Sequence, residues 1–208
     1  GLHPFGTQFR LDESTAAFSG FGGPKAMVES SEGGANMLMG IGINTGGYNY
    51  RAVGVKWMAN ADSYMNDVKF VGGHGGLWKP KPGVEEPRGR WNRPARISSP
   101  DNPVAASGMD LAWDKQYWSL WVTNNGGGTF KDIWTASTYA TNGFYANNTS
   151  TPGRIYAMSI EHHVRNEVRF SKVYNWKVYC MQTEEESRES TDCQPIEMDD
   201  CKDVTFAN

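Results

Sequence analysis

The chain has 208 residues, of which 38% are hydrophobic and 21% charged, enough for one domain with a core and far from a disordered composition. A formal net charge of −3 leaves no polycationic footprint for nucleic acid, and no run of about 18 apolar residues is present to cross a membrane as a helix. High glycine (24 residues), 15 Asn and 12% aromatic residues point to an all-β chain rich in tight turns rather than to a helix bundle.

Helical periodicity is nearly absent. Short runs of alternating residues recur instead, each closed by Gly, Asn or Asp. In chain order they are residues 37–43, 52–57, 66–70, 119–122, 129–134, 154–158, 168–170, 176–179 and 203–206. Three share a local grammar: Asn66-Asp67-Val68-Lys69-Phe70, Lys131-Asp132-Ile133-Trp134 and Lys202-Asp203-Val204-Thr205-Phe206. A polar-Asp-β-branched unit that repeats suggests stacked coils. Each coil turns at the polar pair, buries alternate side chains, and pairs its backbone with the coils above and below. The expected fold is a right-handed, single-stranded parallel β-helix, with Ile41 and Ile43, Val53 and Val55, and Val68 and Phe70 turned into one core. A β-sandwich is the alternative, since Asn125-Gly126 and Asn142-Gly143 are hairpin signals.

Residues 78–118 break the pattern. Six of the ten prolines fall between Pro80 and Pro103, beside Lys79, Lys81, Arg88, Arg90, Arg93 and Arg96. Proline removes ladder donors, so this stretch reads as a basic loop excursion from the coils. Gly72-Gly73-His74-Gly75-Gly76 lacks the Lys-Ser/Thr and helix of a phosphate loop and reads as a tight turn. The absence of an initial Met and the strand-like ending at Phe206 suggest that residues 1–208 are one partial, open-ended β-helix from a longer chain.

Residues 183–203 carry nine acids and two bases, so the remainder of the chain is positive by about four charges. Cys180, Cys193 and Cys201 lie in or beside this acidic stretch without a CxxC pair, which argues against a zinc knuckle. One disulfide is expected, Cys193–Cys201 or a bridge using Cys180. Asn147-Asn148-Thr149-Ser150 holds two overlapping glycosylation sequons, in a composition typical of an exposed loop. Together these features suggest an extracellular glycoprotein.

At Arg51-Ala52-Val53-Gly54-Val55-Lys56-Trp57-Met58 and Asn66-Asp67-Val68-Lys69-Phe70-Val71-Gly72-Gly73-His74-Gly75 the sequence resembles secreted proteins of the pectate-lyase-like β-helix superfamily. More specifically it resembles the group related to the β-1,3-glucanases of glycoside hydrolase family 55. The likeness continues through residues 119–134, 151–156, 161–167 and 182–186. It implies a carbohydrate-active β-helix acting on a β-glucan or related polysaccharide, with no cofactor. No catalytic motif of that group can be matched residue by residue.

The densest polar cluster is Glu161-His162-His163-Val164-Arg165-Asn166-Glu167. On a strand Glu161 and His163 share a face, an acid or base beside a substrate contact, while His162 points away. Adjacent histidines that diverge do not make a metal site. Glu184 and Glu185, in Gln182-Thr183-Glu184-Glu185-Glu186, follow one coil later. Coils stack about 4.8 Å apart, so carboxylates one coil apart suit the roughly 5–5.5 Å of a retaining glycosidase, and carboxylates two coils apart, at roughly 9–10 Å, suit the roughly 6.5–9.5 Å of an inverting one; a β-helix can supply either. Trp113, Trp118 and Trp121, beside Asp110 and Asp114, are the expected sugar contacts: ring faces stack on sugars and carboxylates accept hydroxyls. The competing readings are a non-catalytic structural, adhesive or self-assembling protein that stacks through open coil ends, and a polysaccharide lyase.

Overall fold

The computed structural model describes residues 6–20, 22–72, 116–137, 140–163, 165–185 and 193–208. Twelve strands make a parallel β-helix of about five turns. The short first coil holds β1 (Gln8–Arg10) and β2 (Lys25–Glu29), followed by β3 (Met37–Asn44), β4 (Ala52–Trp57) and β5 (Tyr64–Phe70). Next come β6 (Gln116–Val122), β7 (Gly128–Thr135), β8 (Ala140–Thr149) and β9 (Gly153–Glu161). The chain closes with β10 (Asn166–Glu184), β11 (Gln194–Asp199) and β12 (Lys202–Ala207).

Odd-numbered strands stack as one face, β1-β3-β5-β7-β9, and even-numbered strands as the other, β2-β4-β6-β8. β10 belongs to both. Its first part, from Asn166, pairs β8 and β11; its second, from Tyr174, pairs β9 and β12. Every pairing is parallel. β6 and β7 do not pair, so Asn125-Gly126 turns a coil rather than a hairpin, and the sandwich is excluded. A coil takes 23 residues from Tyr156 to Tyr179 and 28 from Tyr179 to Ala207. The step from Phe70 to Thr135 takes 65, which is where the Pro-rich segment is inserted. That segment ends sooner than expected, because Gln116, Tyr117 and Trp118 already belong to β6.

The repeated Asp marks corners of the coil. Asp67 (φ 51°), Asp132 (φ 51°) and Asp203 (φ 55°) all adopt the left-handed conformation, which Asp tolerates better than most residues. Asp67 and Asp132 belong to one ladder. The register of their neighbours stacks Gly40 (φ 63°), Asp67, Asp132, Ala157 (φ 57°) and Cys180 (φ 55°) on successive coils. Asp203 continues a separate corner above Asn175 (φ 64°). Ala157 and Cys180 are the strained members, since each Cβ meets the steric penalty with no side-chain hydrogen bond among the described residues to offset it. Ala157→Gly is expected to stabilise the fold by about 0.5–1 kcal/mol in urea denaturation; an unchanged or lower midpoint would show that the corner is set by something other than this strain.

The core between the faces is aromatic. Trp176 stacks on Phe130 at 5.7 Å and lies 5.9 Å from both Phe144 and Phe170. Val68 and Phe70 join it as expected. Val53 and Val55 do not share it. Val55 faces the core, whereas Val53 belongs to an outer cluster with Tyr117, Trp118 and Tyr145. The reason is a bend at which two successive residues turn inward: Ser119 and Leu120, Gly143 and Phe144, Glu167 and Val168. Ser119 and Glu167 meet the buried His163, and a Cβ on Gly143 would lie 2.5 Å from its Cε1. Ile43 is buried in the core as expected, and Ile41, half-buried one residue beyond the turned Gly40, packs against it.

The expected disulfide is not formed: Cys180, Cys193 and Cys201 are all unpaired. Their places explain this. Cys193 precedes β11, Cys201 follows it, and Cys180 lies near the middle of the second part of β10. A six-residue strand spans roughly 20 Å, far beyond the Cα separation a disulfide tolerates. Burial and the Glu167 carboxylate push the Cys193 thiol strongly up, whereas Cys180 is exposed. At pH 8, iodoacetamide is therefore expected to label Cys180 at least about tenfold faster than Cys193. Equal rates in peptide mapping would contradict the enclosed position of Cys193.

Candidate functional site

The outer side of the odd-strand face presents side chains from several coils as columns. One column runs Tyr64, Thr129, Arg154, Lys177 and Thr205; the next runs Asn66, Lys131, Tyr156, Tyr179 and Ala207. Beyond the left-handed corner come Lys69, Trp134, Ser159 and Gln182, and at the edge Glu161 opposite Glu184. A shallow depression of about 380 Å³ lies along the corner, lined by residues including Lys69, Asp132, Trp134, Ala157 and Ser159.

Glu161 and Glu184 are register partners on adjacent strands. Their Cα atoms are therefore about one strand spacing apart, roughly 4.8 Å. A polar network joins them. The Ser159 hydroxyl lies 2.6 Å from Glu161 Oε1 and also bonds Gln182, whose amide donates to Glu184 Oε2 at 3.4 Å. His162 completes the edge. Its backbone N–H donates to the Glu184 carbonyl at 3.1 Å, and its Nε2 lies 3.5 Å from Glu161 Oε2. The Glu161 and His162 side chains are 16% and 12% exposed, so each reaches solvent with one edge while the rest is held. Nearer the corner, Lys69 Nζ donates to the Asp132 carbonyl at 3.0 Å and sits 3.4 Å from Asp67, and Lys131 pairs with Asp132. Tyr156 and Tyr179 stack at 5.2 Å and 14°, with Tyr156 39% exposed.

His163 does not join Glu161. The strand ends at Glu161, His162 turns through φ 68°, and His163 is thrown inward to full burial. There its Nδ1 meets the equally buried Glu167, and its Nε2 lies 3.5 Å from Ser119 Oγ. This Ser-His-Glu array has the connectivity of a hydrolytic triad. All three side chains are at most 2% exposed, so no substrate reaches the serine. Glu185, just past β10, is exposed, and its charge acts on Cys193.

Trp118 and Trp121 lie on the other face. Trp118 is 4% exposed, packed against Tyr117, Trp121 and Tyr145. Trp121 donates from Nε1 to Asn147 Oδ1 at 2.8 Å and carries Lys56 over its ring at 5.2 Å. Arg169 lies over Tyr145 at 4.9 Å and bonds Glu197. In the register Lys56-Trp121-Tyr145-Arg169-Glu197 this is a cation–π and ion-pair ladder that closes the outside of the sheet. The expected sugar contacts Trp118 and Trp121 therefore do not face the Glu161–Glu184 pair. Trp113, Asp110 and Asp114 lie outside the described residues. Asn147 and Asn148 sit at the end of β8 rather than in a loop; Asn148, at a left-handed corner, is exposed.

Sequence reasoning passed over Ser159, Gln182, Trp134, Tyr156 and Tyr179. They are distant in sequence and become neighbours only through coil length. No family model, curated protein or solved structure matches the chain.

Proposed function

We propose that the protein is a secreted, carbohydrate-active β-helix that lays a polysaccharide along its odd-strand face and hydrolyses it with Glu161 and Glu184. The observation that carries the reading is the one-coil register of these two carboxylates, tied by Ser159 and Gln182 and edged by His162. Carboxyl groups about 5 Å apart suit a double displacement: one attacks the anomeric carbon, and the other protonates the leaving oxygen and then activates water. Trp134 and the Tyr156–Tyr179 stack supply ring faces for sugars on the same surface. The family resemblance points to a β-glucan or related polysaccharide.

Glu161→Gln and Glu184→Gln keep shape and remove the charge. Each is expected to abolish release of reducing ends from a β-glucan panel while the circular dichroism spectrum stays unchanged. Undiminished turnover in both variants would remove the assignment. Asn148 is the proposed glycan acceptor, tested by intact mass before and after deglycosylation.

A second reading, a non-catalytic protein that stacks end to end, is favoured by apolar side chains at both ends of the coil stack. Phe9, Met37 and Met39 are exposed at one end, and Ile196, Met198 and Phe206 at the other. A concentration-dependent mass in sedimentation, lost in Met198→Glu, supports it.

A further inference from the structure

The odd-strand face carries an unneutralised pair of cations, and its position has chemical consequences. Arg154 and Lys177 are register partners on β9 and β10. Both are exposed, and neither forms an ion pair among the described residues. Like charges directly opposite each other on adjacent strands are destabilising. Neither neighbour in the column, Thr129 or Thr205, supplies an acid. Most acids elsewhere on this face are engaged: Asp132 with Lys131, Asp67 with Lys69, and Glu161 and Glu184 with Ser159, His162 and Gln182. Asp203, on β12, stands at the corner stacked on Asn175, one register position to the far side of the Trp176–Val204 pair from Lys177 and Thr205.

The next outward positions on the same two strands are Tyr156 and Tyr179. Residues i and i+2 lie on one face, roughly 7 Å apart. A stacked ring pair, Tyr156 exposed and Tyr179 half-buried, thus stands beside a pair of exposed positive charges. A sugar ring lying on Tyr156 and Tyr179 would place a substituent against the guanidinium and the ammonium.

We propose that Arg154, Lys177, Tyr156 and Tyr179 form a subsite for an anionic sugar, one bearing a carboxylate or a sulfate ester. The inference rests on reading this face as the glycan-binding surface, and it narrows the ligand from polysaccharides in general to acidic ones. Arg154 offers a planar fork to two anion oxygens, and Lys177 a point charge from the adjacent coil. The subsite lies across the left-handed corner from Glu161 and Glu184, about 20 Å along the strands. One chain of several sugar units would reach both.

The test is binding of the full chain to a polyuronate, a sulfated glycan and a neutral β-glucan, measured by calorimetry at two salt concentrations. At least one anionic glycan is expected to bind about tenfold or more tightly than the neutral one, with affinity falling as salt rises. The double variant Arg154→Gln/Lys177→Gln removes mutual repulsion and no packing, so it stays folded. It is expected to lose that preference by about tenfold or more while its affinity for a neutral glucan is unchanged. Tighter binding of the polyuronate identifies a carboxylate ligand, and tighter binding of the sulfated glycan a sulfate ester. Equal affinity for charged and neutral glycans, or an unaffected double variant, overturns the proposal. The same panel is assayed for turnover with Glu161→Gln. Hydrolysis of the neutral glucan without anion preference sinks the subsite and leaves the hydrolase reading. Anion-selective binding without any hydrolysis does the reverse.

Discussion

Trp176→Ala is expected to cost about 3–5 kcal/mol, read as a lower urea midpoint with an unchanged slope. The side chain is fully buried, packed among Phe130, Phe144 and Phe170, and its Nε1 donates to the Thr151 carbonyl at 3.1 Å. Truncation leaves a cavity that stiff coils on either side cannot close, and it orphans that carbonyl. Gly153 gives the ring its room. A Cβ there would lie 2.2 Å from Trp176 Cε2. Gly153→Ala is therefore destabilising alone, and the cost shrinks when combined with Trp176→Leu, because contacting sites couple. A loss under about 1 kcal/mol in Trp176→Ala would mean that the ring is not the centre of the core.

His163→Ala is expected to be comparably severe, about 3–5 kcal/mol, because it strips a fully buried carboxylate of its partner. Among the described residues, Glu167 would keep only the backbone N–H of residue 163 at 3.2 Å and the Cys193 thiol at 3.7 Å. Adding Glu167→Gln to His163→Ala removes the stranded charge and is expected to restore a large part of the loss. Urea denaturation of the two singles and the double gives the coupling. Additive losses would show that the two side chains do not interact. The effect is on stability, which separates it from a catalytic role: at reduced temperature, folded His163→Ala retains whatever activity Glu161 and Glu184 support.

The elements legible in the sequence are short runs of β-branched and aromatic residues closed by turn residues, two of them built around an Asp corner. Ala52–Trp57 was bounded as β4 is, and residues 66–70 and 129–134 lie inside β5 and β7. β8 was not legible, because its polar residues read as loop composition. Asn142 and Thr149 are in fact buried, bonded to Asn166 and to the Gly126 carbonyl on neighbouring coils. Cross-coil bonds of this kind leave no trace in local composition. The stacking distance places the 184–186 acids one coil from Glu161, but it favours Glu185 as the partner as readily as Glu184; the register pairs Glu161 with Glu184 and leaves Glu185 past the strand end. Alternation misplaces His163 because it does not carry two residues past the end of β9, across the turn at His162. The bend at Gly54, Ser119, Gly143 and Glu167 likewise breaks alternation without proline or positive φ, so parity could not reveal it.

β10 is one unbroken strand of 19 residues that serves both faces, hydrogen-bonded on each to the coil before it and the coil after it. In a stack where each coil touches only its neighbours, opening proceeds inward from the ends. The amides of β11 and β12, whose residues are mostly exposed, are then the first to trade their protons for deuterium. Those of β10 cannot open without releasing four strand pairings at once. The strand thus acts as a clasp, and the slowest-exchanging protons of the molecule should map to it and to the segments of β8 and β9 that it holds.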